Sequence, residues 1–145
     1  MLQIPVAKVA VLAATFAFDR PYTYKIPQPL AATLRPGCRV MVPFSRGNRP
    51  CEGMVLALGE AEDDPKLKPI TRQLDPEPIL SPELIRLAVW MHDRFFCTIY
   101  DALHAILPAG VWYRVSTVYC AAPELDTAAA LAQCSRSKQR RLALE

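Results

Sequence analysis

The spacing of apolar residues changes once along this chain, at Ser81-Pro82-Glu83. Before that point, short apolar or alternating runs are separated by turn-forming residues. After it, apolar residues recur at helical spacing. With 145 residues there is room for one domain with a real core, or a small domain and part of another. The switch therefore predicts a block of strands followed by a block of helices. Strand-like runs cover 6–12, 21–26, 38–44, 54–58 and 67–74. In 38–44, CRVMVPF, Val40 and Val42 share one face, and Arg39 and Met41 share the other. Turn signals separate the runs: Asp19-Arg20-Pro21, Arg35-Pro36-Gly37, the SRGNRP loop over 45–50, and an acidic loop after Gly59. Five short strands with such turns predict a small closed or half-closed barrel.

The helical half carries its own start signals. Ser81 is placed to cap, Pro82 to stand at the first helical position, and Glu83 to complement the positive helix end. Leu84, Leu87, Ala88, Met91 and Phe95 follow at helical spacing. Thr98 with Asp101 predicts a capping box for a second helix through about Leu107, ended by Pro108 and Gly110. Two helices covering the open side of a five-stranded barrel make the fold class α+β, mainly β with C-terminal helices. Beyond Gly110, 115–121 reads as one more strand and 124–133 as a weak, Ala-rich helix. The basic segment 135–145 has too few apolar residues to bury a face of its own, so it reads as the opening of a further unit.

Charge is unevenly distributed. The net charge is only +3, yet 20–51 holds six cations (Arg20, Lys25, Arg35, Arg39, Arg46, Arg49) and no carboxylate. The acids follow in EAEDD over 60–64. This is either a solvated strand face or a surface that steers a polyanion. The same window contains Tyr22, Tyr24 and Phe44, with Phe18 just before it. Aromatic faces among cations suit single-stranded nucleic acid, where bases stack and phosphates track the charge. Strand alternation alone instead points Tyr22, Tyr24 and Ile26 into a core, leaving Thr23 and Lys25 toward water.

Several functions lack the residues they need. There is no GxxxxGK[ST], GxSxG or HExxH. His92 and His104 are the only histidines, and both fall on predicted helices without a neighbouring nucleophile or ligand set. The five cysteines are scattered, with no CxxC spacing, which suggests reduced thiols in a cytosol and no metal site. The uncharged apolar-rich run 9–18 is too short to span a membrane as a helix. A self-contained enzyme is a poor reading of this chain.

The order of the motifs says more. VAKVAV is followed by DRPYTYKIP, LRPGCRVMVPF with its basic loop, GMVLALG, LKPI, and a long segment from LDPEPILSPEL to ILPAG. This series resembles the N-terminal region of primosomal protein N′, the PriA-type replication-restart helicases of bacteria. In that family the pieces are a first strand, an F-D/T-Y strand, a PG-x-R-V-x-VPFG strand and loop, a G-x-V strand, an LK-x-I strand, and two helices. The likeness covers residues 5–112. SRSKQ, over 135–139, more weakly resembles the start of the family's winged-helix domain.

The resemblance implies an OB-like 3′ DNA-binding domain over 1–112, a linker over 113–134, and an incomplete winged-helix start over 135–145. It also implies a module, in the bacterial cytoplasm, that holds the 3′ end of a leading strand at a stalled fork and positions a motor for primosome assembly. The partners implied are single-stranded or forked DNA with a free 3′ end, the helicase domains of the full-length protein and other primosome proteins. In the family, ATP and zinc belong to the downstream motor. This chain ends before it, so helicase activity and cofactors are expected of the parent family and not of these residues. Carried over residue by residue, the nucleotide site comprises Tyr22, Thr23, Ser45 and Lys68, and Arg20, Lys25, Arg46 and Arg49 form the supporting basic surface. Two positions depart from the family. Thr23 stands where an acid is frequent, and a hydroxyl is a weaker acceptor than a carboxylate. Ser45 stands where the family has glycine, unless a shift in loop register brings Gly47 to that place. Both departures imply reduced end selectivity. They also leave room for the alternative of a protein-interaction module that docks on helicase domains or primosome components without binding DNA ends itself.

Overall fold

The computed structural model describes residues 3–111, together with Asp126 and Ala128. Residues 3–111 belong to the first of two units, Met1–Trp112. The strand expected over 115–121 and the winged-helix start expected over 135–145 lie outside the described residues. So, apart from Asp126 and Ala128, does the helix expected over 124–133.

Five strands form one sheet: β1 Gln3–Val11, β2 Tyr22–Lys25, β3 Arg39–Phe44, β4 Arg49–Glu62 and β5 Arg72–Gln73. Their spatial order is β2-β1-β4-β3-β5, and every ladder is antiparallel. The central strand β4 runs for 14 residues, well beyond the 54–58 expected from sequence. Pro50 and Gly53 disguise its first half. Both nonetheless sit in the β3–β4 ladder, Pro50 opposite Pro43 and Gly53 opposite Val40. At Gly53 a Cβ would lie 2.5 Å from Val9 Cγ1 and 2.9 Å from the Ala10 carbonyl, so close packing of β1 requires glycine there.

The barrel expected from the turn spacing is not closed. β5 is only two residues long, and a single parallel bridge, Lys25 to Pro69, links its approach to β2. Lys25 N–H donates to the Lys68 carbonyl at 2.9 Å, and Ile70 N–H donates to the Lys25 carbonyl at 3.0 Å. The next parallel rung would need an N–H from residue 27, which is proline, so the ladder stops. The result is an open antiparallel sheet followed by two helices.

Each face of the sheet is buried. On one, Val9, Val11, Tyr24, Val40, Val42, Cys51 and Val55 pack with Leu34 and Ile70. On the other, Ala10 and Met54 pack under α1 (Pro82–Arg94) and α2 (Ile99–Ile106), against Ile85, Ala88, Ile99, Ala102 and Leu103. The helices thus cover a sheet face and not the mouth of a barrel. Both start where their caps predict. Ser81 Oγ accepts from Leu84 N–H at 3.4 Å, and Thr98 with Asp101 forms a reciprocal capping box. Gly37, at φ +90°, donates to the Val55 carbonyl and accepts from Ile79 N–H, which holds the segment leading into α1 against the sheet. A Cβ there would meet the Leu80 carbonyl oxygen at 2.1 Å. No helix among the described residues is long and apolar enough to cross a membrane.

Arg39 corrects the picture of a uniformly basic surface. Its side chain is fully buried. Nε and Nη2 donate to the Asp75 carboxylate at 3.0 and 2.7 Å, and its own backbone N–H adds a third bond at 2.9 Å. Glu52 lies 3.5 Å from Nη1 and also accepts from Tyr100 Oη at 2.9 Å, which ties α2 to β4. Burial in apolar surroundings would be prohibitive for an unpaired guanidinium, so this pairing is what lets Arg39 occupy the core. Burial, and then the Glu52 charge, push the Tyr100 hydroxyl far above the usual tyrosine range.

Candidate nucleic-acid interface

An open cleft of about 910 Å³ lies where the edge strand β2 faces the β3–β4 turn. Its lining includes Tyr22, Thr23, Ser45 and Lys68, the four residues carried over from the family motifs, together with Arg20 and Arg46. Phe18, Phe44, Asn48 and Lys66 complete its aromatic and polar wall. Among the described residues no carboxylate lines it, and Arg20, Arg46, Lys66 and Lys68 contribute four cations. Lys25 and Arg49 lie outside the lining. Lys25 is paired instead with Asp63 of the acidic loop, and Arg49 is exposed opposite Phe44 at the start of β4.

The floor is built by the two tyrosines of β2, which have different fates. Tyr24 is buried in the core, its hydroxyl 3.4 Å from the Pro43 carbonyl. Burial pushes its pKa up to about 12, with smaller contributions from Cys51 and Tyr22. Tyr22 is half-buried. Its ring meets Phe44 edge-on at 5.2 Å, and its hydroxyl donates to the Phe18 carbonyl at 2.8 Å. The Arg20 guanidinium lies 5.6 Å from the Tyr22 ring centroid. Tyr22 therefore joins the core along one edge and presents an aromatic surface to the cleft, whereas the Tyr24 side chain lies within the core.

Thr23 lies between them. Its hydroxyl accepts from Lys8 Nζ at 2.7 Å, across the β1–β2 rung that pairs the two residues. Antiparallel alternation turns its peptide groups away from β1, as it turns those of Lys25 toward Lys68 and Ile70. Thr23 thus offers the cleft a strand edge, while its hydroxyl is engaged by an ammonium.

The β3–β4 turn forms the opposite wall. Ser45 has φ 62° and Asn48 φ 50°, both in the left-handed region. Asparagine tolerates that region readily, whereas serine occupies it at a cost of roughly 1–2 kcal/mol. Gly47 has no such backbone angle, so the first left-handed position of the turn falls on Ser45 and not on the glycine. Lys68 Nζ donates to the Ser45 carbonyl at 2.6 Å and pins the turn. An ammonium has three donors, so two remain for an anion in the cleft.

Residues 8–108 match the 3′DNA-binding domain (3′BD) of PriA. The chain belongs to this family. It is also similar to the Replication restart protein PriA of Bacillus subtilis (strain 168), being 39% identical to it over 107 residues. That stretch covers 72% of this chain but 13% of the relative, so the chain matches a small part of a much longer protein. The family read from the order of the motifs is therefore borne out.

Sequence reasoning missed what fixes the mouth of the cleft. Asp19 follows the 3-10 turn Phe16–Phe18, and its side chain is 1% exposed. Its Oδ2 accepts from Ile99 N–H at 2.6 Å, at the first turn of α2, and lies 3.3 Å from His92 Nδ1. His92 Nδ1 is also 2.9 Å from the Cys97 carbonyl. Asp19 and His92 thus lock the cleft's aromatic lip to the α1–α2 junction, 80 residues away in sequence. No local signal announces this pairing. The only trace is an acid placed just before a basic window.

Proposed function

We propose that this chain binds the 3′-terminal nucleotide of a DNA strand, as the DNA-end-recognition module of a replication-restart system. The observation that carries the reading is the convergence of Tyr22, Thr23, Ser45 and Lys68, drawn from three separate motifs, on one cation-lined cleft. Tyr22 and Phe44 supply aromatic surface for the terminal base, at roughly 1–3 kcal/mol for one stacked base. Lys68, Arg20 and Arg46 hold the adjoining phosphate. The Thr23 edge and the Ser45 turn bound the space left for the sugar.

The cleft's positive charge also constrains its selectivity. A cationic site attracts a 3′-phosphate as readily as an internal one. Where the family has an acid, repulsion helps to reject it. Thr23 carries no charge, so preference for a free 3′-hydroxyl rests on fit alone and is modest. The test compares otherwise identical short single strands ending in 3′-hydroxyl or 3′-phosphate, by fluorescence anisotropy at low salt. Tighter binding of the hydroxyl is expected, and equal affinity refutes the end-recognition reading. Residues 1–112 are proposed as this module, followed by a linker and the start of a winged helix. Its partners would be forked DNA, the helicase domains of a full-length protein and other primosome components in a bacterial cytoplasm. Catalysis and cofactors form no part of the proposal for this chain.

A further inference from the structure

The cleft accounts for one terminal nucleotide, yet the aromatic surface does not stop at its rim. Phe18 lines the cleft and is 70% exposed. Phe16, on the same 3-10 turn, is 43% exposed and stacks on Phe96 at 4.0 Å between ring centroids, with 24° between planes. Phe96 is 90% exposed. Exposed rings that are contiguous, and not scattered singly, mark interaction surfaces. They are also held in place. The Asp19 carboxylate follows the turn directly and bonds to Ile99 at the start of α2, while His92 bridges Asp19 and the Cys97 carbonyl beside Phe96. Phe18, on the cleft lip, thus shares one anchored turn with Phe16, and the Phe16–Phe96 stack carries the row of exposed rings on from that turn to the α1–α2 junction.

We infer that this row is a stacking platform for the nucleotides immediately 5′ of the terminal one, so that the module reads a short single-stranded tail and not an isolated end. The inference rests on the proposed end-binding site. Single-stranded DNA is favoured as the occupant over a protein for two reasons. The row consists of rings, which every base can stack on, and it is continuous through Phe18 with a cleft lined by cations and no carboxylate.

The test uses the whole chain and oligothymidylates with a free 3′-hydroxyl, from two to about eight nucleotides, against wild type, Phe96→Ala, Phe96→Leu and Phe96→Tyr. Wild-type affinity should rise with length. Phe96→Ala and Phe96→Leu should lower affinity for the longer strands by about fivefold or more, the low end of a lost base stack, and leave the dinucleotide unchanged. Phe96→Tyr, which keeps the ring, should behave as wild type. Equal binding of long strands by wild type and Phe96→Ala overturns the platform, and so does an equal loss for short and long strands. Full activity of Phe96→Leu assigns the patch to generic apolar docking and also overturns it. End recognition stands or falls separately, on whether wild type prefers the 3′-hydroxyl dinucleotide to its 3′-phosphate.

Discussion

Asp75→Ala would leave the Arg39 guanidinium in the core without its main partner. Arg39 is fully buried and Asp75 is 3% exposed, and three bonds join them at 2.7, 2.9 and 3.0 Å. Removing one member of such a pair costs roughly 3–5 kcal/mol, because the remaining charge stays buried. Glu52, 3.5 Å from Nη1, still offers partial compensation, which places the loss near the lower end, about 3 kcal/mol. A domain of this size has a total stability of roughly 5–15 kcal/mol, so the variant should fold but unfold early. At about 4 °C per kcal/mol, Tm should drop by about 12 °C. The assay is urea and thermal unfolding followed by circular dichroism. Arg39→Met combined with Asp75→Leu provides the control. It removes both charges of the pair and should recover part of the loss, the rest remaining because the backbone N–H of residue 39 still loses its Asp75 acceptor and Glu52 its Arg39 partner. A loss below about 1 kcal/mol for Asp75→Ala, or a double variant as unstable as the single one, would refute the account.

Three further outcomes are expected. Thr23→Asp should fold normally, because Lys8 Nζ stands 2.7 Å from the Thr23 hydroxyl and would pair with the new carboxylate, and it should sharpen discrimination against a 3′-phosphate in the anisotropy comparison. Lys68→Ala should weaken binding and flatten the plot of log affinity against log salt by about 0.7, the share of one phosphate contact on a single strand. An unchanged slope would mean that Lys68 acts only by pinning Ser45. Alkaline stability follows from Tyr24. Its folded pKa of about 12 lies above the ordinary value of 10.0, so its contribution is present below the unfolded value and is lost as pH rises through the folded one. Tm should therefore fall between about pH 10 and pH 12, and Tyr24→Phe should fall less steeply over that window.

Some of the molecule was legible because its causes are local. The starts of both helices follow from Ser81 and Thr98, whose hydroxyls accept from N–H groups three residues on, and from Asp101, whose carboxylate accepts from the Thr98 N–H three residues back. Tyr24 and Ile26 read as core from alternation within one strand, and both are buried. Other features have causes that lie elsewhere in the chain. Arg39 looked like one more surface cation because its partner Asp75 is 36 residues away. β4 looked short because Pro50 and Gly53 usually end strands, and only the neighbouring strands make them tolerable. Strand count and turns predicted a closed or half-closed barrel and could not tell which rung lacks a donor; here the next rung would fall on Pro27, and the sheet stays open.

The candidate site divides along the same line. The order of motifs in the sequence was enough to determine the family and to name Tyr22, Thr23, Ser45 and Lys68. Tertiary structure alone decided that these four line one cleft while Lys25 and Arg49 stay outside it, that Ser45 takes a left-handed backbone, and that Lys8 engages Thr23. Sequence determines residue chemistry and the short-range geometry of caps and turns. Strand register, the pairing of distant charges and the direction in which a side chain finally points are set by contacts between segments far apart in the chain, and these exist only once it has folded.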